Sequence, residues 1–143
     1  MKNLLHKSYR NKKPFFSIIT VVKNDDRNIT KTLKSIGKLS CKNFEYIVID
    51  GASTDKTLKK LKKFKRINLL ISQKDKGIYH AMNKGLKYSK GEVVVFVNSG
   101  DVITKNSLKI VNKKFIENKN VDFVFGTVLR NYKIGKILKY GYS

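Results

Sequence analysis

Phe16-Ser17-Ile18-Ile19-Thr20-Val21-Val22 is short, rich in β-branched residues and almost continuously apolar. A strand wetted on one face alternates polar with apolar residues. A strand covered on both faces does not, so this run predicts a central strand of a parallel sheet. The residues downstream agree. Ile29, Leu33, Ile36 and Leu39 recur at helical spacing, with Asn28 as a candidate N-cap. Tyr46-Ile47-Val48-Ile49 predicts a second buried strand ending at Asp50. Gly51-Ala52-Ser53 then forms a turn, with Ser53 a candidate N-cap, Asp55 in the first helical turn, and Leu58, Leu61 and Phe64 as the apolar stripe.

Further strands are expected at Asn68–Ser72 and Val93–Val97, with a helix from Ile78 to about Tyr88 between them. A helix marked by Leu108, Val111 and Phe115 and a strand over Val121–Leu129 complete the pattern, and Ile134–Leu138 is a possible hairpin piece. Such regular β-α alternation calls for an α/β fold, a mostly parallel sheet with helices on both faces. The organisation expected is a basic extension over residues 1–13, one domain over 14–130 and a remnant over 131–143.

Composition narrows the function. The chain has 143 residues, a formal net charge of +22 and 41% hydrophobic residues, enough for one domain with a core. A single cysteine, Cys41, excludes an intramolecular disulfide framework and a multi-cysteine zinc site. The first 13 residues hold only the apolar pair Leu4-Leu5, and no apolar run approaches the roughly 20 residues of a membrane span. A cytoplasmic protein, peripheral on the inner face of the cell membrane if attached at all, is the expectation. The cations are 28 Lys and 4 Arg, densest over Lys59–Arg66. Arginine is the residue suited to forked phosphate and base contacts, so the bias weighs against sequence-specific nucleic-acid recognition. A helix face in water or an anionic membrane surface suits lysine better.

In an open α/β sheet, ligands bind beyond the carboxyl ends of the strands. Four polar segments fall there: Thr20–Asn24, Asp50–Asp55, Ser72–Gly77 and Asn98–Asp101. Asp50, Asp75 and Asp101 put three of only ten acids at those ends. Helix capping for Asp50 and Asp55, and turn formation for Asp101, would account for them equally well.

The segments Phe16–Asn24, Tyr46–Thr57, Asp75–Gly85 and Phe96–Asp101, taken in order, resemble the motifs of family 2 glycosyltransferases. Four motifs in sequence at compatible spacings make the likeness specific, whereas Asp-Gly-x-Ser-x-Asp alone would not. The resemblance runs from about residue 14 to 130 and is nearest to enzymes of bacterial O-antigen and capsule synthesis. It implies a GT-A fold, truncated at its C-terminal end, that binds a nucleotide-diphosphate sugar, expected to be a UDP-sugar, for inverting transfer to a saccharide or lipid-linked saccharide.

The resemblance also implies roles. Thr20, Val22 and Asn24 would line the nucleoside pocket. Asp50 would accept a hydrogen bond from the donor's base, with Ser53 beside it. Asp75, Gly77 and Asn83 belong to the stretch packed across the nucleotide, where Gly77 and Gly85 would admit close approach; a plain turn for Gly77 and helix packing for Gly85 are the alternatives. Asn98, Ser99 and Asp101 match the metal motif, in which Asp101 would ligate Mn²⁺ or Mg²⁺ against the diphosphate. Asn98 and Gly100 stand where many members carry Asp, His80 where the subgroup often has Asp, and Ala52 where Gly is usual. An inverting enzyme needs a carboxylate general base. The acids after Asp101 are Glu117 and Asp122, and neither matches the family's position, so the donor half is expected here without the base. A basic module that binds nucleic acid or an anionic membrane without catalysis is the alternative.

Overall fold

The computed structural model describes residues 3–6, 13–118 and 120–124. The elements in chain order are β1 (Asn3–His6), β2 (Phe16–Val22), α1 (Ile29–Gly37), β3 (Phe44–Asp50), α2 (Thr57–Lys63), β4 (Leu69–Ser72), α3 (Ile78–Tyr88), β5 (Val93–Phe96) and α4 (Ser107–Glu117). The sheet order is β1-β4-β3-β2-β5. β2, β3, β4 and β5 are parallel, with Ile19 opposite both Ile47 and Phe96, and β1 pairs antiparallel with β4. The chain steps outward from β2 through β3 to β4, then crosses back to place β5 on the other side of β2. The strand order therefore reverses between β2 and β5.

The pleat divides the core. Ile19, Val21, Ile47, Ile49, Leu69 and Ile71 form one apolar cluster with Ala81 of α3. Gly85 lets α3 approach: a Cβ there would stand 2.5 Å from Ile19 Cγ2. Helix packing, rather than ligand approach, therefore accounts for Gly85. On the opposite face Tyr46 sets its ring edge-on to Phe64 after α2, and Phe64 lies against Gly37 at the end of α1. Arg66 ties these two helix ends together by donating to the Ile36 and Gly37 carbonyls. The helices thus cover both faces, as the alternation predicted.

Several local expectations fail for identifiable reasons. Asn28 occupies the N-cap position of α1 but gives its amide to Asp25 Oδ1 (2.7 Å). Ser53 does not cap α2, which starts at Thr57; there Asp55 Oδ1 accepts the Thr57 N–H (2.8 Å) from outside the helix. Val93–Val97 is the strongest strand signal in the sequence, yet Phe96 is exposed, because among the described residues β5 pairs only with β2. β1 was not expected in a basic extension.

Residues up to Lys109 form one compact unit, and a second begins at Ile110. In the second, Lys113 and Lys114 pair with Glu117, and residues 120–124 have no regular structure. The rest of the strand expected to Leu129, and the Ile134–Leu138 piece, lie outside the described residues. No described helix is long and apolar enough to cross a membrane.

Candidate functional site

The loops after β2, β3 and β5 are tied to one another where the strand order reverses. Val22, buried in its strand, accepts the Gly51 N–H at its carbonyl (2.8 Å). Asn24 turns the chain at φ 48°, a left-handed conformation that Asn tolerates better than most residues. Its N–H donates to Ser53 Oγ (2.8 Å) and its Oδ1 accepts from the Thr54 N–H (2.8 Å), so the first two loops interlock. Asp25 joins the third: its carboxylate accepts from Ser99 Oγ (2.6 Å) and from Asn28. Asp26 N–H donates to Asp55 Oδ2 (3.1 Å). Hydrogen bonding from Thr57, foremost from its side chain, lowers the Asp55 pKa below its ordinary value.

Asn98–Asp101 is a tight turn closed by the Asp101 N–H on the Asn98 carbonyl (3.0 Å), with Gly100 at φ 94°. That conformation at the third turn position is the province of glycine, which accounts for Gly100 where an acid would be strained. Thr32 of α1 holds the turn, donating to the Asp101 carbonyl (2.8 Å) and accepting the Gly100 N–H (3.0 Å). The Asp101 side chain is exposed, and among the described residues its carboxylate accepts no hydrogen bond. In the same turn the Asn98 Oδ1 is buried without a partner. The exposed carboxylate is a hard oxygen donor of the kind a divalent cation takes when a diphosphate completes its shell. Among the described residues no group of three or more His, Cys, Asp or Glu could hold a metal by itself.

Two expected ligand contacts are corrected. Thr20 does not line a pocket. It is buried, donating to the Val97 carbonyl (2.6 Å) and accepting from the Tyr46 hydroxyl (2.9 Å). Burial pushes the Tyr46 phenol well above its usual pKa, which keeps it a donor. Asp50 is 0% exposed, and its carboxylate accepts from Ser53 Oγ (2.5 Å), Ser53 N–H (3.1 Å) and Ser72 Oγ (2.6 Å). It therefore shapes the 50–55 turn from a buried position, not open to a base in this conformation. Ala52 within that turn has φ 58°, where the more usual glycine would be unstrained.

The β4 segment stands apart. Asp75, with its side chain 7% exposed, pairs through Oδ1 with Lys84 and with His80 Nδ1 (3.0 Å), while its Oδ2 is buried without a partner. Gly77 caps α3 at φ 132° with open space around it. Asn83 is exposed and, with Gln73, His80, Lys84 and Tyr88, borders an open cavity of about 370 Å³. The structure thus brings Val22, Asn24, Asp50, Ser53, Asn98, Ser99 and Asp101 into one loop cluster. Asp75, Gly77 and Asn83 are gathered at the start of α3. Asp25, Thr32 and Thr57, which tie the cluster together, were not singled out from sequence. Asp25 had a signal, an acid just past a strand end; the two threonines had none.

In a parallel α/β sheet the loops at the reversal of strand order are where ligands bind. The sequence profile of Glycosyl transferase family 2 matches residues 17–140, and the chain belongs to that family. It is 33% identical over 120 residues to the UDP-Glc:alpha-D-GlcNAc-diphosphoundecaprenol beta-1,3-glucosyltransferase WfgD of Escherichia coli, covering 82% of this chain and 46% of that protein. It is 38% identical over 100 residues to the poly(ribitol-phosphate) beta-N-acetylglucosaminyltransferase TarS of Staphylococcus aureus, covering 66% of this chain and 18% of that one. The chain thus spans less than half the length of these relatives. The crystal structure of TarS residues 1–349 with UDP-GlcNAc superposes with a TM-score of 0.67 at 33% identity, over 73% of this chain and 32% of that one. The mannosyltransferase PcManGT of Pyrobaculum calidifontis, in complex with GDP-Man and Mn²⁺, shares the fold at TM-score 0.66 and 23% identity, over 73% of this chain and 33% of that one.

Proposed function

We propose that the loop cluster binds the nucleoside-diphosphate end of a sugar donor, a UDP-sugar, for inverting transfer to a saccharide or lipid-linked saccharide acceptor. The observation that carries the reading is the turn at residues 98–101. It carries one exposed carboxylate, Asp101, and the unpartnered Asn98 Oδ1 within one turn at the reversal of strand order. The similar proteins support the donor class: WfgD is named for UDP-Glc, and TarS was crystallised with UDP-GlcNAc. Both WfgD and TarS are named for β-linked products, which inversion yields from an α-linked donor.

Within this site the chain's own residues bind and orient. Asp101, with Asn98 nearby, would hold Mn²⁺ or Mg²⁺. Such an ion, when bound, neutralises the charge that develops on a diphosphate leaving group. Asn24 and Ser53 tie the two loops together, and Asp50 bonds Ser53. The lysine-rich surface adds a background attraction for a diphosphate. No general base is assigned.

UDP with Mn²⁺ is expected to raise the melting temperature by several degrees, and UDP without metal by much less. Asp101→Asn should abolish the metal-dependent part while leaving the unliganded melting temperature within about a degree, because the side chain is exposed. No shift with any nucleoside diphosphate at millimolar concentration would overturn the reading.

A further inference from the structure

We infer that the outward faces of α1 and α2 form one docking surface for an anionic lipid bilayer, on which this layer lies flat. The segments 29–44 and 56–69 contain eleven basic residues and no acid. Lys31, Lys34 and Lys38 are exposed on the side of α1 opposite the buried Ile29, Leu33 and Ile36. Lys59, Lys62 and Lys63 are exposed on the side of α2 opposite the buried Leu61. The two helices cover the same sheet face, joined through Phe64, Gly37 and Arg66, so both sets point away from the sheet.

The asymmetry lies in the acids. Six of the ten (Asp25, Asp26, Asp50, Asp55, Asp75 and Asp101) follow strand ends at one edge of the sheet, and none is left on this layer. The ion pairs formed among the described residues lie on Asp75 and Glu117, so Lys34, Lys38, Lys59, Lys62 and Lys63 are not neutralised by a neighbour.

The chemistry selects a membrane over a nucleic acid. Lysine is a compact point charge suited to a diffuse anionic plane, whereas grooves that track nucleic acid use forked arginines and stacking aromatics. The one arginine of this layer, Arg66, is spent on the Ile36 and Gly37 carbonyls. The exposed large apolar residues lie elsewhere, from Ile78 onward, so the face carries charge without stacking platforms or an inserting wedge. A helix is about 10 Å thick, so a chain lying on this layer holds its strand-end loops about that far above the surface, open sideways and uncovered.

The test is flotation of the full chain with vesicles of phosphatidylcholine alone or with about 30% phosphatidylglycerol, at low and high salt. Binding is expected only with the anionic lipid, and it should fall steeply with salt. Each lysine near such a surface raises partition about fivefold. The quadruple variant Lys34→Gln, Lys38→Gln, Lys59→Gln, Lys63→Gln should therefore lose about 100-fold or more. A charge-matched control, Lys74→Gln, Lys76→Gln, Lys87→Gln, Lys90→Gln, should lose less than about tenfold. Equal losses in the two variants would overturn the docking face and leave only bulk charge. Duplex DNA binding through the same four lysines at 0.15 M salt, without vesicle binding, would overturn the choice of partner. The inference is independent of the donor reading: the quadruple variant should keep its UDP- and Mn²⁺-dependent melting shift, and a failed nucleotide shift would not alter flotation.

Discussion

β3 carries a buried carboxylate at each end, and the two ends behave differently. At its start Glu45, 4% exposed, accepts from Ser17 Oγ (2.6 Å) and the Lys90 N–H (2.5 Å), while Gly91 N–H donates to Ser17 Oγ (2.8 Å). This end is closed: a Cβ on Gly91 would stand 2.6 Å from the backbone of Phe16 and Ser17. At the other end Asp50 is as well bonded, to Ser72 of β4 and to Ser53, and it also holds the 50–55 turn. Past the strand ends on this side Asn24, Ala52, Gly77 and Gly100 all have positive φ, and Asn98 Oδ1 and Asp75 Oδ2 are buried without partners. Strain and unmet hydrogen bonds persist where surrounding structure enforces them, and they gather at functional sites. One end of the strands is closed by packing, and the other keeps positive-φ backbone and unmet acceptors.

The contrast can be broken by mutation. Glu45→Ala should cost the most, about 3 kcal/mol in urea denaturation, because it strands a buried hydroxyl and an N–H that a charged group had satisfied. It should leave the UDP-dependent melting shift in place. Gly91→Ala forces backbone apart and should cost about 2 kcal/mol by the same measurement, again without effect on nucleotide binding. Loss of nucleotide response in either variant would erase the distinction between the ends. Ala52→Gly works at the ligand end and has the smallest expected effect, a gain of about 0.5 kcal/mol. Relief of the left-handed alanine slightly outweighs the added entropy of the unfolded chain.

Much of the frame was legible in the sequence because it rests on local pattern. The apolar runs at residues 16–22 and 46–50 and the α3 boundaries at Ile78 and Tyr88 match the structure closely. Three of the four strand-end segments, those after β2, β3 and β5, are tied together by hydrogen bonds, and the one after β4 stands apart. What could not be read was the choice of hydrogen-bond partner across the fold. Thr20 was placed in the nucleoside pocket by the family resemblance, yet its hydroxyl is spent inside the core on Val97 and Tyr46. Asn28 and Ser53 had the residue types of helix caps, but Asp25 and Asp50 stood closer. Thr32 sits on the buried side of α1 and looks like any helix threonine until the 98–101 turn is placed over it. β1 was missed because a four-residue edge strand with polar ends has no periodicity to detect.

The most direct test is a map of backbone amide chemical shifts on adding UDP and Mn²⁺ to the protein. The account predicts that the changes fall on residues 22–25, 51–54 and 98–101, and that residues 15–17, 43–45 and 90–92 stay still. Changes centred on the closed end, or none at any attainable concentration, would contradict it.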